Sequence, residues 1–509
     1  GKLSERVPEL ARQAGLSISV TSDKLWRTRA RPVRGTFTPG EALSRMLDGT
    51  GSRAVQLSPT SWRIEPRPTT VVPPRKPRPV APAPEPEPVS MQDVPIVVTA
   101  SKLDQSYRDY AGSVRILDGN DLRFGGDRGT ESILSRLASV ASTHLGSGRN
   151  KLFIRGMADS SFTGPTQATV GQYLDDLRLS YNAPDPDLRL YDISRVEILE
   201  GSQGTLYGAG SLGGIIRLVP NQPDPVAFSL DTSAGLSLTE HGQPGGDMAA
   251  TVNLPIGESG HALRITGYGI SEGGYIDNPL RKENDINRSR IVGGRAMLRL
   301  DPGDGWTVDI GGVYQATRLD DAQYADRSGP PLTRKSAVVE GAQAHYGMAT
   351  LVLRKDWGDI RFQSSNAYVN HALDESFDAR PNGDTPQIFD QRNRTRMFSS
   401  ETRLWRPVRN GVGWVLGFSA IDNRTEQRRA FQQLIETERA TGVTNTISEL
   451  TGYGKISLEP LRGLILTGGG RVTSSRLGGI AKDVQPRYAA EAAAGAGITG
   501  ERTESEVLP

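Results

Sequence analysis

The sequence predicts a mainly β protein: a long series of antiparallel membrane-barrel strands, preceded by a mixed α+β domain and a small α/β module. Three observations carry that prediction. From about residue 226 onward, apolar and polar residues alternate in roughly eleven segments, many about ten residues long with aromatics near their ends, as in strands that face lipid on one side. No stretch approaches the ~18 consecutive apolar residues of a membrane helix, and a mean hydropathy of −0.42 is compatible with strands whose two faces average out. Before residue 226 the texture differs, with helical stripes, short apolar runs and clustered turn residues. A soluble sandwich is the competing reading of the alternation. So many long strands in series make it the poorer one.

Composition narrows function by exclusion. The 509 residues carry 60 basic and 58 acidic side chains, so no global field draws nucleic acid. There is no cysteine, which removes disulfides, thiolate metal sites and a Cys nucleophile. That fits an envelope protein without proving a compartment. The chain opens at Gly1-Lys2 with no basic and apolar leader, so any signal peptide is expected to have been removed or cropped.

Residues 1–66 read as the small module. Leu3, Val7, Leu10, Ala11 and Ala14 share a helical face that Gly15 ends, and LSISV (16–20) reads as a strand. Thr38 as N-cap, Pro39 and Glu41 form a capping box before the stripe Ala42, Leu43, Met46 and Leu47. RAVQL and SWRIE then close as a hairpin. Residues 67–92 are a linker: ten prolines between 66 and 88 favour polyproline II, a spacer of roughly 70 Å at ~3.1 Å per residue.

Residues 93–102, DVPIVVTASK, are β-prone at Ile96, Val97, Val98 and Thr99, with no hairpin partner evident nearby. Such a segment on a leash can add to a partner's sheet edge, or it can be the first strand of the next domain. Residues 103–225 form the mixed domain. SVRILDGNDL suggests a strand and turn, and TESILSRLASV places Ile133, Leu134, Leu137 and Val140 on one helical face. KLFIRGM, ATVGQYLDDL, RVEILEG and GIIRLVP read as strands. The barrel segments follow over 226–509, including Trp306, Val308, Ile310 and Tyr314, and later Trp414, Leu416, Phe418 and Ala420.

One stretch, YGAGSLGG (207–214), contains a literal G-x-G-x-x-G. A dinucleotide fingerprint needs a strand directly before it and a helix opening at its last glycine. Here EGSQGTLY separates the strand from the first glycine, and β-prone Ile215, Ile216, Leu218 and Val219 follow the last. No helix N-terminus is available for a pyrophosphate. The glycines are expected to supply tight turns and close backbone approach instead.

RVEILEGSQGTLYGAGSLGGIIRLVPNQP (195–223) strongly resembles the plug-domain signature of TonB-dependent outer-membrane receptors. Its motif positions are Arg195, Glu197, Gly201, Gln203, Gly204, Tyr207, Gly208, Gly213 and Gly214. LFIRGM, with Arg155 and Gly156, and VGQYLDDL, with Asp175, resemble the plug's earlier strands. DVPIVVTASK sits where the family keeps its TonB box, and residues 1–66 resemble the secretin/TonB short N-terminal (STN) domain.

The resemblance implies a 22-stranded barrel, about half of it present, embedded in outer-membrane lipid and filled by the plug. It implies TonB-dependent import of a small extracellular ligand, a ferric siderophore first, with cobalamin, sugars or plant-derived oligomers open. TonB, energised through ExbB/ExbD, would pair with Ile96, Val97, Val98, Thr99 and Ala100. The module would lie in the periplasm and signal to an anti-sigma regulator. No enzyme activity, cofactor or resident metal is implied.

Three departures stand out. The family's Arg-Gly-Pro reads Glu200-Gly201-Ser202, so any plug-to-wall salt bridge made by that arginine must differ. Set against that resemblance, the sequence opens at the module's helix, so its first strand is expected to be lacking. The chain stops at Glu506-Val507-Leu508-Pro509, so a fragment of a longer protein, or a degenerate product that cannot transport by itself, is expected.

Other readings are a passive pore, a non-transporting structural barrel, and a module inherited without a partner. Asp175-Asp176 and Asp185/Asp187 could serve an enzyme or a Ca²⁺ site, but are expected to be solvated turns. His144, His241, His261, His345 and His371 show no metal-ligand spacing and are expected at the surface. Loops 318–343 and 373–394 look polar without a recognisable pocket.

Overall fold

The computed structural model describes residues 2–21, 23–67, 97–98, 102–106, 110, 112–122, 128–158, 166–182, 184–379, 387–409, 411–432, 437–482 and 500–508. It divides into two compact units, Gly1–Ser90 and Met91–Pro509.

The first unit contains α1 (Leu3–Ala14), β1 (Ser17–Val20), α2 (Asp23–Trp26), α3 (Pro39–Leu47), β2 (Ser52–Ser58) and β3 (Ser61–Pro66). Gly15 closes α1 at φ 65°. Thr38 and Glu41 make the expected capping box on α3. β3 lies between β2 (antiparallel) and β1 (parallel). Leu3, Val7, Leu43, Met46, Leu47 and Ile64 form a core of the module's own.

The mixed part of the second unit begins with β4 (Val97–Val98) paired antiparallel to β5 (Gln105–Ser106). A hairpin partner therefore exists for the box segment, contrary to the sequence reading. It was hidden because the pairing is two residues long and polar Gln and Ser carry little β signal. Ile96, Thr99 and Ala100 lie outside the described residues. Next come β6 (Ser113–Asp118), α4 (Thr130–Leu134), β7 (Val140–Ser142), β8 (Leu152–Ile154), β9 (Val170–Leu174), β10 (Leu177–Arg178), β11 (Ile193–Glu200), α5 (Gly204–Tyr207) and β12 (Gly214–Pro220). The expected helix thus stops at Leu134. Val140, placed on its face by sequence, instead pairs with Ile154, an exchange that suits a β-branched side chain.

The central sheet runs β10-β9-β12-β11-β6. Val196, Ile198, Leu199, Ile215 and Ile216 are all nearly solvent-free there, so β11 and β12 are buried on both faces.

The remaining strands form one antiparallel meander: β13 (Ser229–Ser237), β14 (Gly245–Ile256), β15 (His261–Glu272), β16 (Ser289–Gly303), β17 (Trp306–Leu319), β18 (Ala342–Asp356), β19 (Arg361–Asp378), β20 (Ile388–Arg409), β21 (Val412–Gln432), β22 (Thr437–Leu461), β23 (Leu464–Lys482) and β24 (Gly500–Leu508). Several are far longer than the expected ten residues. β22 spans 25, because pairing continues past the alternating stretch Leu450–Leu458 into the mostly polar run Thr444–Ser448. Connections at one end are tight (257–260, 304–305, 357–360, 410–411 and 462–463), while those at the other include 273–288, 320–341 and 379–387.

Polarity in this sheet is inverted relative to a soluble fold. Ile310, Tyr314, Leu351, Tyr368, Phe398, Leu416, Phe418 and Leu450 are exposed on one face. Alternate residues such as Asp309, Gln315, Gln363, Arg403, Thr425, Glu449 and Arg471 are buried on the other, against the mixed domain. Side chains from β14 through β22 bond that domain in succession, from Asp247 with Tyr191 to Glu449 with Tyr181. A sheet touched along one face by one small domain over so many strands must curve around it. An apolar convex face and a polar concave one is the arrangement of a membrane barrel.

Phe418→Arg, which puts a charge on the convex apolar band, is expected to cost about 2–4 kcal/mol of folding stability in bilayers. Phe418→Leu is expected to be nearly neutral. Urea titration of vesicle-folded protein checks both.

Candidate functional site

The glycine-rich segment is a turn between buried strands. Gly201 N–H donates to the Gly213 carbonyl at 2.9 Å, and Gln203 N–H to Ser211 at 3.0 Å, closing a loop around the four-residue α5. Two glycines are required by geometry. Gly208 has φ 68°, and a Cβ there would overlap the Arg471 guanidinium of the wall. Gly214 has φ 140°, and a Cβ would overlap the Leu199 carbonyl oxygen. Gly204 opens α5, and Gly213 donates to Thr169 at 2.9 Å on the way into β12. The chain leaves the last glycine of this turn as strand β12, where the nucleotide fingerprint requires a helix to open.

The other motif residues brace these strands. Tyr207, at the end of α5, packs edge-on to Tyr173 with centroids 5.1 Å apart. Glu197 is fully buried and is held by Arg195 (2.7 Å) and Arg217 (3.2 Å). Arg155 and Gly156 form the turn after β8, at φ 53° and 72°. Arg155 Nη2 meets Glu200 at 2.8 Å, and Ser113 and Ser139 also donate to that carboxylate. The acid that replaces the family's arginine is therefore satisfied within its own domain rather than at the wall.

At the wall, Arg217 and two aspartates sit at the centre of a buried ion network. Arg217 meets Asp175 at 2.5 Å and Asp176 at 3.4 Å. Asp176 accepts both Arg403 nitrogens (3.1 and 2.9 Å) and Gln363 Nε2 (2.6 Å) from the sheet. Asp175 also meets Arg354 at 3.2 Å. Burial pushes the Asp176 carboxyl upward, but Arg403 and Arg217 outweigh it and hold the group well below the usual carboxylate range. Asp185 and Asp187 are also buried. Asp185 accepts Thr130 Oγ1 (2.6 Å) and the Asp187 N–H (2.9 Å), while Asp187 accepts Ser147 Oγ (2.5 Å). Burial, then the neighbouring Asp187, pushes Asp185 up to about 7. The expectation that these four acids lie in solvated turns is thus wrong: each is drawn inward by partners distant in sequence.

The end of the box segment, Lys102, and the residues just after it are anchored at the tight-turn end of the sheet. Lys102 is 2 % exposed. Its Nζ donates to the Leu206 carbonyl (2.8 Å) and Glu401 (2.6 Å), between the rings of Tyr207 and Tyr453 at 4.5 and 4.7 Å. Burial lowers the pKa of its ammonium, with Glu401 opposing. Asp104 accepts from Arg361 Nη1 (2.8 Å) and Trp405 Nε1 (2.9 Å). One short stretch thus touches the glycine turn and the wall together.

At the opposite, long-loop end lies a cavity of about 450 Å³, contrary to the expectation of no pocket. Arg149, Lys151 and Asn182 of the mixed domain meet Tyr324, His371, Glu375, Phe377, Phe389, Asn393 and Arg429 of the sheet and its loops. Arg149 Nε pairs with Glu375 at 2.7 Å. Among the described residues, Arg149 Nη2, His371 Nε2 and Asn393 Oδ1 are buried in this lining without a protein hydrogen-bond partner. His371 is therefore not a surface residue. Buried polar atoms left open in a cavity of this size are available to a bound molecule or to water.

Residues 106–215 match the family description TonB-dependent Receptor Plug Domain. The mixed domain is a TonB-dependent receptor plug. The chain is 24% identical over 228 residues to the ferripyoverdine receptor of Pseudomonas aeruginosa, covering 43% of this chain and 27% of that protein. It is 22% identical over 288 residues to the vitamin B12 transporter BtuB of Photobacterium profundum, covering 55% and 44%. Among solved structures, the ferric yersiniabactin uptake receptor FyuA of Yersinia pestis superposes with a TM-score of 0.63 at 18% identity, over 78% of this chain and 61% of that one. The chain spans under half the length of these curated relatives. They are receptors and transporters, which fits the non-enzyme reading.

Sequence reasoning missed Lys102, Arg217, Arg403 and the cavity. Arg217 had a signal: a lone charge inside the apolar run GIIRLVP of a plug strand must find a buried counter-charge. The others had none, since their partners lie hundreds of residues away.

Asp176→Asn leaves Arg403 and Arg217 under-compensated and is expected to cost about 3–5 kcal/mol of plug docking, read as faster hydrogen exchange in β9 and β12. For Asp185 the folded pKa lies above its unfolded value near 3.9, so its stabilisation is full below about pH 4 and is lost as pH rises toward 7. Asp185→Asn is expected to remove that loss, flattening plug stability between pH 4 and 7 in thermal melts.

Proposed function

We propose that the chain forms part of a TonB-dependent outer-membrane importer. One observation carries this reading: the cavity and the box segment lie at opposite ends of a plug fixed to the wall by buried charges. A ligand in the cavity has no way through while those contacts hold. Breaking one partner of a buried pair costs about 3–5 kcal/mol, so opening needs work supplied from the box side. In this reading Val97 and Val98, tied by only two pairings to Gln105–Ser106, exchange them for a strand of TonB, with Ile96, Thr99 and Ala100 extending the contact. ExbB/ExbD would energise TonB.

A ferric siderophore is the favoured cargo. Arg149, Lys151 and Arg429 outnumber Glu375 in the cavity, and Phe377, Phe389 and Tyr324 add aromatic surface, which suits an anionic, partly aromatic chelate. The names of the relatives also support a metal-chelate or cobalamin cargo. The convex apolar band supports residence in the outer membrane. Residues 1–66 act, in this proposal, as a periplasmic signalling module for an anti-sigma regulator, with 67–92 as spacer and 93–102 as the box.

Val98→Pro, which cannot donate to an added strand, is expected to leave ligand binding intact and abolish energy-dependent uptake of a radiolabelled ferric siderophore by the full-length protein. Uptake at the wild-type rate would instead favour a passive pore. Pull-down of the anti-sigma factor's periplasmic part by the same protein tests the signalling role.

A further inference from the structure

Arg31, Arg34, Arg45 and Arg67 border a groove of about 720 Å³ on the N-terminal module, with half-buried Val33 and Phe37 at its base. We propose that this groove is the module's docking site for an acidic, extended peptide segment of a partner protein, an inference that rests on the signalling reading above. Residues 1–67 hold twelve basic and six acidic side chains, a net charge of +6 in a chain whose total is +2. Half of that excess, four arginines against Asp48, lies at this groove. Asp48 is its one carboxylate, and Arg31 takes it at 2.7 Å. Arg45 is laid over the Phe37 ring at 4.4 Å, which fixes its plane.

Among the described residues, Arg34 and Arg67 meet no carboxylate, and both are exposed. Guanidinium groups gathered this closely repel one another unless an anion joins them, and their planar forks suit carboxylates in pairs. At an ionic strength of 0.15 M the screening length is about 8 Å, so neighbouring rim charges act together on a ligand in the groove. The concave shape favours a peptide over a lipid surface. A flat anionic bilayer could touch the arginine tips but would leave Val33 and Phe37 uncovered, whereas acidic residues alternating with apolar ones would satisfy both.

The full chain in detergent is titrated with a fluorescein-labelled peptide of alternating Glu and Leu, with an alternating Lys-Leu peptide as control. Binding of the acidic peptide alone is expected. Arg34→Glu/Arg67→Glu should weaken it about tenfold or more, with a steeper loss at high salt. Arg12→Glu/Arg63→Glu, an equal charge change away from the groove, should alter it by less than about threefold. Equal losses in the two double variants, or no loss in the first, would overturn the groove assignment. So would groove-dependent binding of phosphatidylglycerol vesicles without peptide binding. The signalling reading is scored apart. Capture of an anti-sigma periplasmic part that survives Arg34→Glu/Arg67→Glu overturns the groove and spares that reading. Groove-dependent peptide binding without such capture upholds the groove and removes the signalling reading.

Discussion

The structure depends on one constraint: the sheet carries its apolar residues outside, so its polar residues must be satisfied inside. Leu416 and Phe418 of β21 face outward, while Asn423 and Thr425 of the same strand are buried inward. Along β14 to β22 the inward half of the strands therefore needs polar partners that solvent does not supply. The plug supplies them. Asp176 answers Arg403 and Gln363, Asp192 answers Arg264 and Arg295, and Tyr181 answers Glu449. Removing either side would strand charges in a region of low dielectric, so plug and wall specify each other.

That mutual dependence gives the plug its mechanical character. A stopper held by apolar contact alone would loosen gradually. One held by paired, hydrogen-bonded charges stays seated until a pair is broken, and then water can enter. Lys102 is well placed in such a scheme because a single ammonium joins the box segment, the Leu206 carbonyl of the glycine turn and Glu401 of the wall. Displacing it would disturb three parts at once. The polar but imperfectly paired cavity at the far end is where a ligand's own charges could alter the balance.

Much of this was legible in the sequence. Period-2 alternation identified the wall strands, the Thr38-Pro39-Glu41 pattern placed α3, and the glycine cluster was correctly read as turn and close approach at Gly208 and Gly214. What sequence could not show was pairing at long range. Asp176 and Arg403 are 227 positions apart, and Lys102 and Glu401 are 299 apart, so local patterns see only isolated charges. The same blindness made Asp185 and Asp187 look solvated and hid the cavity, whose lining is drawn from positions 145 to 429. Val140 failed for another reason. Its helical spacing was real, but cross-strand pairing with Ile154 outweighed it.

The account stands on the plug being a stopper that must move relative to the wall. The chain has no cysteine, and a Cβ at Gly148 of the plug would lie 3.5 Å from the Ala344 Cβ of β18, within disulfide range, so a Cys pair at these positions can be closed and opened at will. Ligand uptake by cells carrying the full-length Gly148→Cys/Ala344→Cys protein, whose two positions lie outside the cavity lining, should cease on oxidation, with ligand binding retained, and return on reduction. Uptake that continues at the reduced-state rate with the bridge closed would contradict it.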